Sequence, residues 1–70
     1  MNDELLQRAT VLWEKGQQLS INPEAHNSLY LYEDHLFVIW YDRENILQNV
    51  ERVTKEKAVE LFDPTEWKLV

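Results

Sequence analysis

The chain has 70 residues, a formal net charge of −6 at pH 7 and no Cys. This length limits it to one small domain, residues 1–70, because so few residues cannot build two hydrophobic cores. The acidic charge argues against direct binding of nucleic acid or anionic membranes, and the longest apolar run, residues 36–41, is far shorter than the ~20 residues of a membrane-spanning helix.

The N-terminal residues 3–19 are predicted to form a helix, because their apolar positions recur with a period near 3.6 residues. These positions are Leu5, Leu6, Ala9, Leu12, Trp13 and Leu19. Asp3 or Asn2 is a suitable cap for the start of this helix. Val11 lies to one side of the stripe, and Gly16 either weakens the last turn or marks a close contact between helix and sheet. Residues 20–27 are then a connector, in which a single helical turn is plausible.

Two runs of aromatic and β-branched residues, 29–32 and 36–41, predict a β-hairpin around Glu33, Asp34 and His35. With a three-residue loop and His35 in the left-handed region, one face carries Tyr30, Tyr32, Leu36, Val38 and Trp40, and the other carries Leu29, Leu31, Phe37, Ile39 and Tyr41. With a two- or four-residue loop, one face carries Leu29, Leu31, Leu36, Val38 and Trp40, and the other carries Tyr30, Tyr32, His35, Phe37, Ile39 and Tyr41. In either register neither face is polar.

The remaining residues predict a turn, a third strand and a short helix. Residues 42–45 form the turn, with Asn45 as its left-handed residue. A strand over residues 46–53 is favoured over a continuous helix, because Thr54 is a typical N-cap for a new helix that ends near residue 62. A last turn begins with Asp63 as its cap and extends to Trp67, which either packs into the core or anchors a partner.

The predicted fold is therefore α+β, in the order α-β-β-β-α. A three-stranded antiparallel meander lies at its centre, with the N-terminal helix and the short C-terminal helix packed on the sheet. The absence of Cys is compatible with a reducing cytoplasm, and the βββα half is an arrangement seen in many small bacterial proteins.

The apolar character of both hairpin faces predicts a protein-interaction surface. If one face is left in water, its residues form the candidate interface Tyr30, Tyr32, Phe37, Ile39 and Tyr41. Soluble monomers rarely expose such a patch without a partner. In the alternative, the N-terminal helix covers one face and the C-terminal helices cover the other, so that all of these residues belong to the core.

The residues that carry chemistry give no catalytic or metal-binding pattern. His26 and His35 lack the spacing of a metal site, and Ser28 has no reliable alignment with His26. Glu56 and Glu60 are one turn apart on a helix and are typical of a solvated face. A single Gly excludes the Gly-rich phosphate and dinucleotide loops. We therefore expect no enzyme activity, no cofactor and no metal.

The leading hypothesis is a small cytoplasmic protein-interaction or regulatory module, with a homodimer through the aromatic sheet face as its simplest form. One alternative is a small ligand-binding or enzyme-accessory domain whose site is lined by Tyr30, Tyr32, His35 and Trp40. A weaker alternative is an acidic inhibitor of a nucleic-acid-binding protein, whose binding would weaken steeply with salt.

Overall fold

The fold is α+β, with two helices and a four-stranded antiparallel sheet, and the computed structural model describes residues 3–67. The elements in chain order are α1 (Asp3–Lys15), β1 (Gln17–Asn22), β2 (Asn27–Tyr32), β3 (His35–Tyr41), β4 (Leu47–Val53), α2 (Lys55–Leu61) and a 3₁₀ turn (Pro64–Glu66). The strands lie in the order β1-β2-β3-β4, so each pairs with its neighbour in the chain. Within residues 3–67, no helix has the length and apolar character needed to cross a membrane.

The prediction of three strands is wrong, because the residues assigned to the end of the first helix and to the connector form β1. Leu19 lies seven residues after Leu12 and therefore fits the helical period as well as an inward strand position. The helix ends earlier, where the amide of Gly16 donates to the carbonyl oxygen of Leu12 at 2.9 Å. A bulge between Gln18 and Ser20 breaks the alternation of β1, which removes the two-residue period that would have indicated a strand.

The junction between α1 and β1 requires a residue without a side chain. A Cβ atom added to Gly16 would lie 2.7 Å from the carbonyl oxygen of Leu12. We expect Gly16→Ala to lower the free energy of unfolding by about 1–3 kcal/mol, because the backbone must shift to admit the methyl group. Urea unfolding measures the change, and Lys15→Ala on the exposed end of α1 is the control. Equal stability of the Gly16 variant and the parent would contradict this expectation.

The β2–β3 hairpin has a two-residue turn, which selects one of the two predicted registers. Tyr32 pairs with His35, and both intervening residues are left-handed, with φ of 49° at Glu33 and 65° at Asp34. Turns with positive φ at both central positions match the twist of the flanking strands. The placement of His35 in the left-handed region is therefore wrong, since His35 opens β3.

The predicted elements after the hairpin are confirmed. The third predicted strand corresponds to β4, and Asn45 before it is left-handed with φ of 64°. The hydroxyl of Thr54 caps α2 by accepting from the amide of Lys57 at 3.2 Å. Asp63 caps the 3₁₀ turn. Its carboxylate accepts hydrogen bonds from the backbone amide and from the hydroxyl of Thr65, and these bonds lower the pKa of Asp63, the backbone bond more than the hydroxyl bond.

The sheet has an apolar core on each of its two faces. The face under α1, called the α1 face, carries Tyr30, Tyr32, Phe37, Ile39, Tyr41 and Val50. The face under α2, called the α2 face, carries Leu29, Leu31, Leu36, Val38, Trp40 and Val53. Each face thus has a helix of its own, and the question for function is how completely each helix covers its face.

Candidate functional site

The five residues of the candidate interface all lie on the α1 face, but they differ in exposure. Ile39 is 0% exposed and Tyr30 is 7% exposed, and both pack in one cluster with Ala9 and Leu12 of α1. The other three, Tyr32, Phe37 and Tyr41, are half-buried and lie at the margin of this cluster. A partner on this face would therefore contact the three marginal rings and α1 itself.

The hydroxyl of Tyr30 is anchored inside the α1 face. It donates to the side-chain carbonyl oxygen of Gln18 on β1 at 3.0 Å. Burial raises the pKa of Tyr30, and its electrostatic interaction with Tyr41 raises it further. Tyr30 therefore stays neutral well above physiological pH and ties β2 to β1, which is a structural role.

One side of α1 exposes a pair of large apolar side chains. Leu6 is 44% exposed and Trp13 is 43% exposed, although both were predicted to widen the inward stripe. They are seven residues apart and therefore lie on the same side of the helix. The indole Nε1 of Trp13 donates to the hydroxyl of Tyr41 at 3.1 Å, which holds the ring over the end of β3. We call these three residues the Trp13 patch.

The other side of α1 borders a small groove of about 180 Å³. The groove is lined by Arg8, Val11, Leu12, Tyr32, Phe37 and Val50. Val11 is exposed, and it is the residue that fell outside the helical stripe in the sequence. The position of Val11 outside the inward stripe was therefore the one feature of the sequence that could have indicated exposed apolar surface on this side of α1.

The four residues of the ligand-site alternative do not line a common cavity. Tyr30 and Tyr32 lie on the α1 face, whereas Trp40 lies on the α2 face, where its Nε1 donates to a carboxylate oxygen of Glu51 at 3.1 Å. His35 is exposed at the start of β3. The sheet itself separates Trp40 from the two tyrosines.

The residues with catalytic or metal-binding chemistry are dispersed. His26 lies in the β1–β2 turn with φ of 55°, and Ser28 is buried on β2. Glu56 and Glu60 are both exposed on α2, and Glu60 lies 3.9 Å from the ammonium group of Lys57. Over residues 3–67, no group of three or more His, Cys, Asp or Glu residues is placed to hold a metal ion.

Trp67 packs against the core of the α2 face. Its ring contacts the cluster that contains Ala58 and Phe62, although the side chain is only partly buried. The contact with this cluster agrees with the predicted packing of Trp67 into the core, and its role as an anchor for a partner stays a prediction.

When the chain is compared with protein-family models, with curated proteins and with solved structures, nothing matches it.

Proposed function

We propose that the chain is a small protein-interaction module that acts as a homodimer through its α1 face. The observation that carries the proposal is the Trp13 patch, in which Leu6 and Trp13 are each more than 40% exposed on one side of a helix. Exposed aromatic and aliphatic residues that lie together are typical of protein interfaces, where Trp and Tyr contribute much of the binding energy.

A second copy of the chain suits the Trp13 patch because the patch is self-complementary. When two α1 helices pair antiparallel about their midpoint between Ala9 and Thr10, Leu6 of each copy meets Trp13 of the other. A twofold dimer makes every such contact twice, as an isologous interface requires. Tyr41, which already holds the indole of Trp13, would keep the ring in a fixed orientation for this contact.

The proposal assigns no catalytic step to the chain and places it in the cytoplasm. An interaction module needs apolar surface and a rigid scaffold, and the two helices on one antiparallel sheet supply the scaffold. The lack of Cys in the sequence is compatible with a reducing compartment.

The decisive variant is Leu6→Lys. We expect it to weaken self-association about tenfold or more, because each dimer loses two apolar contacts and gains two charges in the interface. Gln7→Lys is the matched control, since it makes the same charge change at the next exposed position of α1. Sedimentation equilibrium from micromolar to millimolar concentration measures the association.

Two outcomes would contradict the proposal. A parent chain that stays monomeric at millimolar concentration would exclude the homodimer. Equal weakening by Leu6→Lys and Gln7→Lys would show that charge alone, and not the Trp13 patch, governs association. Far-ultraviolet circular dichroism of each variant confirms that the fold is retained.

A further inference from the structure

A groove runs along the edge of the sheet beside β1. Two cavities of about 280 Å³ and 390 Å³ share Ser20, Ile21 and Glu66 in their walls, so they form one continuous groove, which we call the β1 groove. Residues 18–21 line the first cavity and residues 20–24 line the second. Since successive residues of a strand face opposite sides of the sheet, a run of consecutive residues lines one cavity only where that cavity follows the edge of the strand.

The edge of β1 has backbone groups that a further strand can use. β1 pairs with β2 and lies at the end of the strand order, and an edge strand leaves a row of N–H and C=O groups outside the ladder. The bulge between Gln18 and Ser20 interrupts this row, so the regular part of the edge is residues 20–22. The side-chain Nδ2 of Asn22 donates to the carbonyl oxygen of Leu61 at 3.3 Å, which ties the end of this segment to the end of α2.

The β1 groove has an acidic wall. Glu24, Asp63 and Glu66 line the second cavity, and no Lys or Arg of the described residues lines either cavity. None of the three carboxylates has a cationic group at pairing distance in the part of the chain that the structure describes. Hydrogen bonds from Thr65 lower the pKa of Asp63, so this carboxyl group keeps its charge in mild acid. The wall is therefore a local site of attraction for cations.

Ser20 contributes an unpaired polar group to the β1 groove. It faces the α2 side of the sheet, because it pairs with Leu29, and it is only 8% exposed. Its hydroxyl has no hydrogen-bond partner in residues 3–67, and unlike the sealed amide of Asn27 it keeps some accessible surface, which opens into the groove. A molecule that enters the groove can therefore supply the hydrogen bond that this buried hydroxyl lacks.

We infer that the β1 groove binds an extended segment of a partner protein in which basic residues alternate with apolar residues. Such a segment adds a strand to the edge of β1 through backbone hydrogen bonds. Its side chains alternate between the two faces of the sheet, so that Lys or Arg meets Asp63 and Glu66 on one face, while apolar residues cover Ile21 on the other. Ile21 offers this contact because it is 51% exposed on the α1 side of the sheet, opposite Ser28.

Charge favours a basic partner over a second copy of this chain. The chain carries a net charge of −6, so the acidic wall of the groove repels another copy and attracts a basic segment. The groove includes none of the three residues of the Trp13 patch, so the inference does not depend on the proposed homodimer.

The test is a titration of the full chain followed by ¹H–¹⁵N NMR. The probe is a short acetylated and amidated peptide in which Lys alternates with Val. We expect the backbone amide resonances of residues 20–22 to move, while the indole resonance of Trp13 remains in place as an internal control. Two control peptides are expected to produce no shift. One has Glu in place of Lys, and the other carries N-methyl groups on its backbone nitrogens and cannot pair as a strand.

Matched charge reversals test the acidic wall. Glu66→Lys is expected to weaken binding of the Lys peptide about threefold or more, because an attractive charge becomes a repulsive one. Glu56→Lys makes the same charge change on the exposed surface of α2, outside the groove, and is expected to have a smaller effect. Equal effects of the two variants, or no effect of either, would overturn the choice of a basic partner.

Three further results would overturn the inference. The first is no shift of residues 20–22 with the Lys peptide at millimolar concentration. The second is an equal response to spermidine, which would show that the wall attracts any polycation and that no strand is added. The third is a shift of the same residues when the chain alone is concentrated, which would assign the groove to a second copy.

Discussion

Ile39→Ala is expected to lower the free energy of unfolding by about 2–5 kcal/mol. Ile39 is 0% exposed and packs with Leu12 and Val50 in the core of the α1 face, so the smaller side chain leaves a cavity that the surrounding strands cannot fill. For a domain of this size such a loss is a large part of the total stability. Urea unfolding monitored by circular dichroism measures the change.

Ile46→Ala is the matched control for this substitution. Ile46 is 54% exposed in the loop before β4, and its truncation is expected to change stability by less than about 0.5 kcal/mol. A small effect of Ile39→Ala would contradict the burial described here. It would indicate that Ile39 belongs to a surface available to partners, as the sequence pattern first suggested.

Asn27→Leu is expected to raise the free energy of unfolding by about 1–3 kcal/mol. Asn27 is 1% exposed at the start of β2, and neither its Nδ2 nor its Oδ1 has a hydrogen-bond partner. Leu has the same branched side-chain skeleton as Asn and no polar group to leave unpaired, and we expect the removal of the buried amide to outweigh the strain from its larger methyl groups against the apolar α2 face. Thermal and urea unfolding measure the gain.

Asn49→Leu is the control for Asn27→Leu. Both asparagines pair with Trp40, one from each side, but Asn49 is exposed on the edge strand β4. Its replacement is expected to leave stability nearly unchanged. If Asn27→Leu instead destabilises the protein, either the larger side chain overpacks this site or the substitution displaces a buried water molecule bound to the amide, and Asn27→Ala, which adds no volume, distinguishes the two.

Elements with local signals could be predicted from the sequence. Thr54 and Asp63 identify the starts of α2 and of the 3₁₀ turn, because each cap depends on residues at most three positions away. The cap at Thr54 also predicted that residues 46–53 form a strand, because a helix that begins at Thr54 cannot be a continuation of a helix through residues 46–53. In contrast, β1 has no local signal of its own, since Leu19 fits either period and the bulge after Gln18 hides the alternation.

The register of the hairpin and the cover of each face could not be predicted, because both depend on contacts between distant residues. Glu33 and Asp34 are not the Asn-Gly pair that signals a two-residue hairpin turn, so the sequence left the loop length open. The five residues of the candidate interface share one face only in the register with a two- or four-residue loop, which is the register that the structure has. The position of α1 on the sheet decides that Tyr30 and Ile39 are buried and that Leu6 and Trp13 are exposed. The hairpin sequence contains no information on where α1 packs.

The strand order β1-β2-β3-β4 also bears on how rapidly the chain folds. Every strand finds its partner across a short turn, so forming the sheet requires the closure of small loops only, and the entropy lost in each closure is modest. Folds dominated by such local pairings reach the native state faster than sandwiches or barrels with distant pairings. Among the main contacts between elements, the contact of α1 with β4 joins the parts that lie farthest apart along the chain, so it closes the longest loop in the fold.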